Sequence, residues 1–181
     1  MSNRAIDVSA SRVILRTRAT GLLARFAHDL EIVAEGFEGT VEVDGDRWST
    51  ELTFPVRRLR VIGSLKKNGK IDFGAISTSD LAEIERKIRD ECLRGSNVRV
   101  TAEGTSPSRA QLQVIAPEGR QHVSCPLRVS ERAKGGHQVT GEVRLSLSAL
   151  GVPEIKGPLK AFKVFDEVEV EVDFVVKEDA G

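Results

Sequence analysis

Apolar residues recur at every second position through most of this chain. The clearest run is the last. Val168, Val170, Val172, Phe174 and Val176 share one parity, and Glu167, Glu169, Glu171 and Asp173 share the other. Successive side chains of a strand point to opposite faces, so this pattern predicts a strand with an apolar face inward and an acidic face toward water. Val13, Leu15 and Thr17 alternate likewise with Ile14, Arg16 and Arg18, and Leu30, Ile32 and Ala34 with Glu31, Val33 and Glu35. The parity then changes to Phe37, Val41 and Val43, with Gly36 at the change. A glycine there predicts a bulge or sharp bend within one long strand. Asp44-Gly45-Asp46 reads as a turn. Trp48, Thr50, Leu52, Phe54 and Val56 form the return strand, whose parity changes near Arg57 and Arg58 to Leu59 and Val61.

Continued to the end, this reading predicts about eight strands near 12–18, 29–45, 47–61, 97–104, 109–116, 120–130, 137–149 and 163–176. Ser106-Pro107-Ser108, Pro117-Glu118-Gly119 and Lys134-Gly135-Gly136 separate neighbours, and such short links imply a meander of hairpins. One helix interrupts the series over 80–94. Leu81, Ile84, Ile88 and Cys92 recur at helical spacing, Asp80 and Glu83 resemble a capping pair, and Gly95 ends it. A second short helical piece is expected from Leu22 to Ala27. The fold class is therefore all-β with one main helix, which plugs or covers the sheet. Bent, twisted antiparallel strands hide their edges by closing, so the expected architecture is an eight-stranded antiparallel, lipocalin-like β-barrel forming a single domain over 1–181.

Composition narrows the function. Hydrophobic residues are 40% of the 181 and charged residues 30%, enough for a core and a wetted surface. Lys+Arg and Asp+Glu are both 27, so the formal net charge is zero and nothing draws the whole chain to nucleic acid. The first residues, Met1 to Asp7, carry no apolar stretch of a secretory signal, and no apolar run reaches membrane-spanning length, which leads to the expectation of a cytoplasmic protein without stable membrane insertion. A homodimer is compatible with the sequence.

The chemistry-bearing residues are sparse. Cys92 and Cys125 have no metal-ligand spacing and read as buried reduced thiols. Gly63-Ser64-Leu65-Lys66-Lys67-Asn68-Gly69-Lys70 fails as a phosphate loop, because five residues separate its glycines and Ile71 stands where a hydroxyl is needed. His28-Asp29 is the most interesting polar pair, yet adjacent strand residues face opposite ways. His122 and His137 sit on separate strands, and neither a GxSxG elbow nor an HExxH helix exists. No catalytic residue, metal or cofactor is expected. The inward positions are chiefly Val, Leu, Ile and Ala, with Phe26, Phe37, Phe54 and Phe174; tyrosine is absent and Trp48 is the single tryptophan. Physics alone leaves the barrel axis either filled by these side chains or open to a hydrocarbon chain.

Gly21-Leu22-Leu23-Ala24-Arg25-Phe26-Ala27-His28-Asp29-Leu30, followed by Phe37-Glu38-Gly39-Thr40-Val41, resembles the opening of the YceI-like family. The helix from Ser79 to Leu93, the stretch Gly141 to Gly151 and then Asp166-Glu167-Val168 are similar to its helix and final hairpin, so the resemblance spans roughly 11–176. It departs at Leu93-Arg94-Gly95-Ser96-Asn97, which lacks a proline, and at Ala116-Pro117-Glu118-Gly119-Arg120, which lacks the family's hairpin motif. The resemblance implies a lipocalin-like barrel that holds a polyisoprenoid chain and has no catalytic residues to carry over. The expected function is accordingly non-enzymatic binding, carriage or sequestration of an apolar isoprenoid or lipid chain. Its wall would comprise Val13, Leu15, Phe26, Leu30, Ile32, Phe54, Val100, Leu112, Val143 and Phe174, with His28 near a mouth. The alternatives are a packed barrel serving as an interaction module and, less favoured, an enzyme centred on His28.

Overall fold

The computed structural model describes residues 2–21, 27–133, 135–157 and 162–178. Their strands are β1 (Ser2–Ala5), β2 (Arg12–Thr17), β3 (Ala19–Thr20), β4 (Asp29–Ala34), β5 (Glu38–Asp44), β6 (Arg47–Phe54), β7 (Leu59–Leu65), β8 (Ile71–Asp72), β9 (Val98–Gly104), β10 (Arg109–Ala116), β11 (Gly119–Glu131), β12 (His137–Ser146), β13 (Lys163–Val164) and β14 (Glu167–Val176). Twelve of them form one curled antiparallel sheet in the order β1-β5-β6-β9-β10-β11-β12-β14-β2-β4-β7-β8, and β13 pairs with β3 apart from it. Two expectations are corrected here. The sheet has twelve strands rather than eight, and its ladder is not a closed barrel, because the order ends at β1 and β8.

Two of the four extra strands come from the bends, and the other two, β1 and β8, lie outside the predicted segments. Each long predicted segment is cut in two by its bend. Residues 29–44 become β4 and β5, and 47–65 become β6 and β7. Gly36 takes φ +58° at the first bend, a conformation that a side chain disfavours. A short 3-10 turn, Val56–Arg58, makes the second. The two legs stay paired on both sides of the bends, Ala34 with Leu59 and Glu38 with Thr53, and the Glu35 amide donates to the Arg58 carbonyl at 3.0 Å between them. β4 and β5 thus lie near opposite ends of the sheet order yet run on in one chain. The sheet is drawn round by this covalent continuity and by a short bridge from the end of β1 to the end of β14, where the Lys177 amide donates to the Ala5 carbonyl at 2.9 Å and the Asp7 amide to the Val175 carbonyl at 2.7 Å.

Other departures are local. β1 lies outside the predicted strands; it has no apolar alternation and is held by pairing Ser2–Ala5 with Val43–Thr40 of β5. The final predicted strand is divided into β13 and β14 at Phe165–Asp166, where the Phe165 amide turns to the Arg18 carbonyl. In β7 the register slips past Ile62, so Glu31 opposes Gly63 while Ile32 opposes Val61. β11 pairs with β10 through Pro126 and with β12 from Leu127 onward; proline, without an N–H, stands at the changeover.

The helix α1 (Thr78–Lys87) runs on into a wider turn over Ile88–Cys92. Its cap is not the expected Asp80–Glu83 pair. The Ser77 hydroxyl accepts from the Asp80 amide and donates to the Asp80 carboxylate at 2.7 Å, closing the first turn one residue before the helix begins. Glu85 fastens the helix to β7, accepting from the Val61 amide at 3.0 Å and meeting Arg60 at 3.3 Å. The expected helical piece from Leu22 to Ala27 lies, except for Ala27, outside the described residues.

The outer wall carries the predicted acidic face. Glu169 pairs with Arg18 at 3.0 Å, Glu171 with Arg16 at 2.7 Å, and Asp173 accepts from Gln138. Inside, Phe37 is 2% exposed at the first bend, with Phe54 and Phe174 at ring-centroid distances of 5.3 and 5.4 Å. Aromatic contacts at such spacings add stabilisation beyond area burial. Replacing Phe37 by Ala is expected to cost about 3–5 kcal/mol, read as a lowered urea midpoint with an unchanged slope. A loss below about 1 kcal/mol would mean that the bend is not held by this ring cluster.

Candidate functional site

The curled sheet encloses a cavity of about 1030 Å³. Every strand of the large sheet except β8 contributes to its wall, and Val, Leu, Ile and Ala dominate it. Alternation explains the composition: the inner parity of β2, β4, β5, β6, β9, β10, β12 and β14 is apolar save at Thr17, Thr50 and His137. On β14 the lining residues run from Val168 to Val176, about 27 Å apart along the strand. The space is therefore elongated, and its volume lies at the upper end of small-molecule pockets.

Val13 and Leu15 of β2, Leu30 and Ile32 of β4, Phe54 of β6, Val100 of β9, Leu112 of β10, Val143 of β12 and Phe174 of β14 all line this cavity, and so does His28. Phe26 lies outside the described residues. The structure adds Val41 and Val43, Trp48, Leu52, Leu145 and Val170, which the same alternation would have supplied. It also adds Ile84, Ile88, Cys92 and Leu93, the apolar stripe of the helical segment, together with Ile155, Phe162 and Val164 from the stretch before β14. The helix thus covers one end of the space rather than filling it. The burial patterns of its residues carry the signal; the end they cover does not follow from sequence spacing.

The two ends differ in polarity. At the helix end, Arg18, Lys87 and Lys156 line the cavity, and each meets an acid: Glu169 at 3.0 Å, Glu83 at 3.8 Å and Glu154 at 2.7 Å. His28 Nδ1 lies 3.1 Å from the Ser64 hydroxyl, while Asp29 accepts from the Ala19 amide at 2.8 Å. The two neighbours thus face different partners, as adjacent strand positions should, and tie the start of β4 to β7 and β3. At the opposite end, where the β5–β6 turn lies, Arg4, Asp46, Arg47, Trp48 and His137 reach the lining. Trp48 donates its indole N–H to the Ser106 carbonyl at 3.0 Å. Gly104 makes room for that ring, since a Cβ there would sit 2.7 Å from the indole nitrogen.

The histidines do not converge. His28 is at the helix end, His137 at the turn end, and His122 is exposed on the outer face, 3.0 Å from the Gln113 side-chain amide. Among the described residues no group of three or more His, Cys, Asp or Glu could hold a metal ion. No helix among them is long and apolar enough to cross a membrane.

No family model matches the chain, and no curated protein matches it by sequence. Solved structures do match. BcnA of Burkholderia cenocepacia superposes with a TM-score of 0.64 at 14% identity, over 94% of this chain and 98% of its own. A polyisoprenoid-binding domain from Saccharophagus degradans, implicated in plant cell wall breakdown, superposes with a TM-score of 0.67 at 8% identity, over 96% and 97%. The fold is shared. That likeness of fold extends over nearly the whole of each chain.

The two thiols give a check on the cavity wall. Burial pushes both Cys92 and Cys125 above the usual thiol range, and Cys125 is 1% exposed. Iodoacetamide at pH 8 is expected to label Cys92 slowly and to leave Cys125 unlabelled until urea unfolds the chain. Equal, rapid labelling of both in the native protein would contradict this packing.

Proposed function

We propose that this chain is a non-enzymatic carrier or sequestering protein that binds one apolar chain, of the isoprenoid or lipid class, inside the cavity. The curled sheet then serves as the wall of a lipocalin-like barrel, and the helix as its cover. The observation that carries it is the elongated apolar cavity of about 1030 Å³ running the length of β14. A well-packed core leaves few voids larger than a water molecule, so a space of this size favours a guest over a packed interaction module. The polyisoprenoid-binding domain of Saccharophagus degradans, which has the same fold, supports the isoprenoid class. The ligand-binding wall is the inner face already assigned, with Val13, Leu15, Leu30, Ile32, Phe54, Val100, Leu112, Val143 and Phe174. Binding would need no metal and no cofactor, because burial of apolar surface supplies the free energy.

Native mass spectrometry before and after organic extraction tests the reading. The extracted protein is expected to take up one prenyl quinone per chain. Val143→Trp, which projects an indole into the space, should weaken uptake about tenfold or more while the fold persists, because the ring enters a void rather than a packed core. No uptake by the extracted native protein would sink the carrier reading. Full uptake by the Val143→Trp variant would place the guest elsewhere.

A further inference from the structure

The turn end of the cavity carries two polar atoms that the fold does not satisfy. Arg4 Nε and His137 Nδ1 are both buried, and neither has a hydrogen-bond partner among the described residues. Both residues line the cavity. Strand register brings them to one place. His137 of β12 opposes Val176 of β14, and Ile6, just past β1, is bridged to the same Val176. Ile6, Val176 and His137 all line the cavity, so they form one row across the inner face. Arg4 stands two residues before Ile6, on the same face, opposite the lining residue Val41. Arg4 and His137 are thus offset by one face repeat, about 6.8 Å, along the strands and by two strand spacings, about 9.6 Å, across them, a gap that a headgroup between the two side chains would bridge.

We propose, resting on the reading of the cavity as an apolar-chain site, that this end holds the anionic headgroup of the guest, with Arg4 and His137 as its hydrogen-bond donors. The guest is then a single-chain amphiphile ending in a carboxylate or a phosphate, not a neutral hydrocarbon. Arginine keeps its charge and has no acceptor atom, so only an oxygen brought from outside satisfies a buried guanidinium N–H. A charged acceptor forms the stronger bond. Arg47 lines the same end and adds positive charge. Asp46, which is exposed, is the single acid among the lining residues and also lies at this end. The helix end offers no such demand, since Arg18, Lys87 and Lys156 each already meet an acid. The polarity of the cavity therefore orients the guest, tail toward the helix and head toward the β5–β6 turn.

Trp48 is the only tryptophan of the chain and lines the turn end, so its emission reports binding. Titration of the extracted full chain would use four probes: oleic acid, oleyl alcohol, geranylgeranyl phosphate and geranylgeraniol. Each anion is expected to bind about tenfold or more tighter than the alcohol of the same chain. A preference confined to one pair identifies the head as carboxylate or phosphate. In Arg4→Gln with His137→Gln the preference should vanish while alcohol affinity stays, which also reports an intact fold. Arg18→Gln, at the helix end, should keep it. Equal affinities within both pairs for the native protein would overturn the headgroup assignment and leave the carrier reading standing. A preference that survives in the double variant, or is lost in Arg18→Gln, would overturn the placement. Binding of none of the four would overturn the carrier reading itself.

Discussion

The architecture depends on two chain segments that must each serve two parts of one sheet. Residues 29–44 and 47–65 pair with one another on both sides of the bends, yet β4, the half of the first far from the turn, also pairs with β2, and β6, the half of the second next to the turn, also pairs with β9. Such a hairpin cannot lie flat. The bends at Gly36 and at Val56–Arg58 rotate the inner face so that it remains continuous from β4 into β5 and from β7 into β6. Since sheets twist with a fixed hand, bent legs of this length curl the remaining strands around a common axis. The cavity follows from that curl and from the parity of the apolar residues.

The wall explains why the space persists. Bulky rings gather at the bend, where Phe37, Phe54 and Phe174 pack together, and elsewhere the inner face carries Val, Leu, Ile and Ala. These side chains are too short to meet across the axis. They make a surface that water wets poorly and that an apolar chain would cover. The outer face follows the opposite rule. Glu31 is 3% exposed there, paired with Arg16 at 3.0 Å and Arg12 at 3.7 Å, in a row that includes Glu171.

Much of this was legible in residue order, and the illegible parts have physical reasons. Parity placed Val13, Leu15, Leu30, Ile32, Val100, Leu112, Val143 and Phe174 on one inner face, because a strand's side-chain period admits no other arrangement. The parity changes at Gly36 and near Arg57 located both bends. Parity does not say that the bends divide two of the ladders, and it does not announce β1 or β8, so eight strands are expected where twelve pair and a closed order where the ladder is open. β1 was invisible because its pairing with β5 rests on backbone bonds, and Ser2-Asn3-Arg4-Ala5 has no apolar face to announce it. Arg4 was missed for the same reason. His137 was seen as an isolated histidine, since its relation to Arg4 runs through β14 and Ile6, which lie far apart in the chain.

The proposed role requires that a guest cover the apolar surface inside the curled sheet. Calorimetric titration of a long-chain isoprenoid into the extracted protein at several temperatures tests it most directly, because burial of apolar surface lowers the heat capacity. The account predicts saturation at one guest per chain with a clearly negative heat-capacity change. Saturable binding with no such change, or no saturable heat at any temperature, would contradict it.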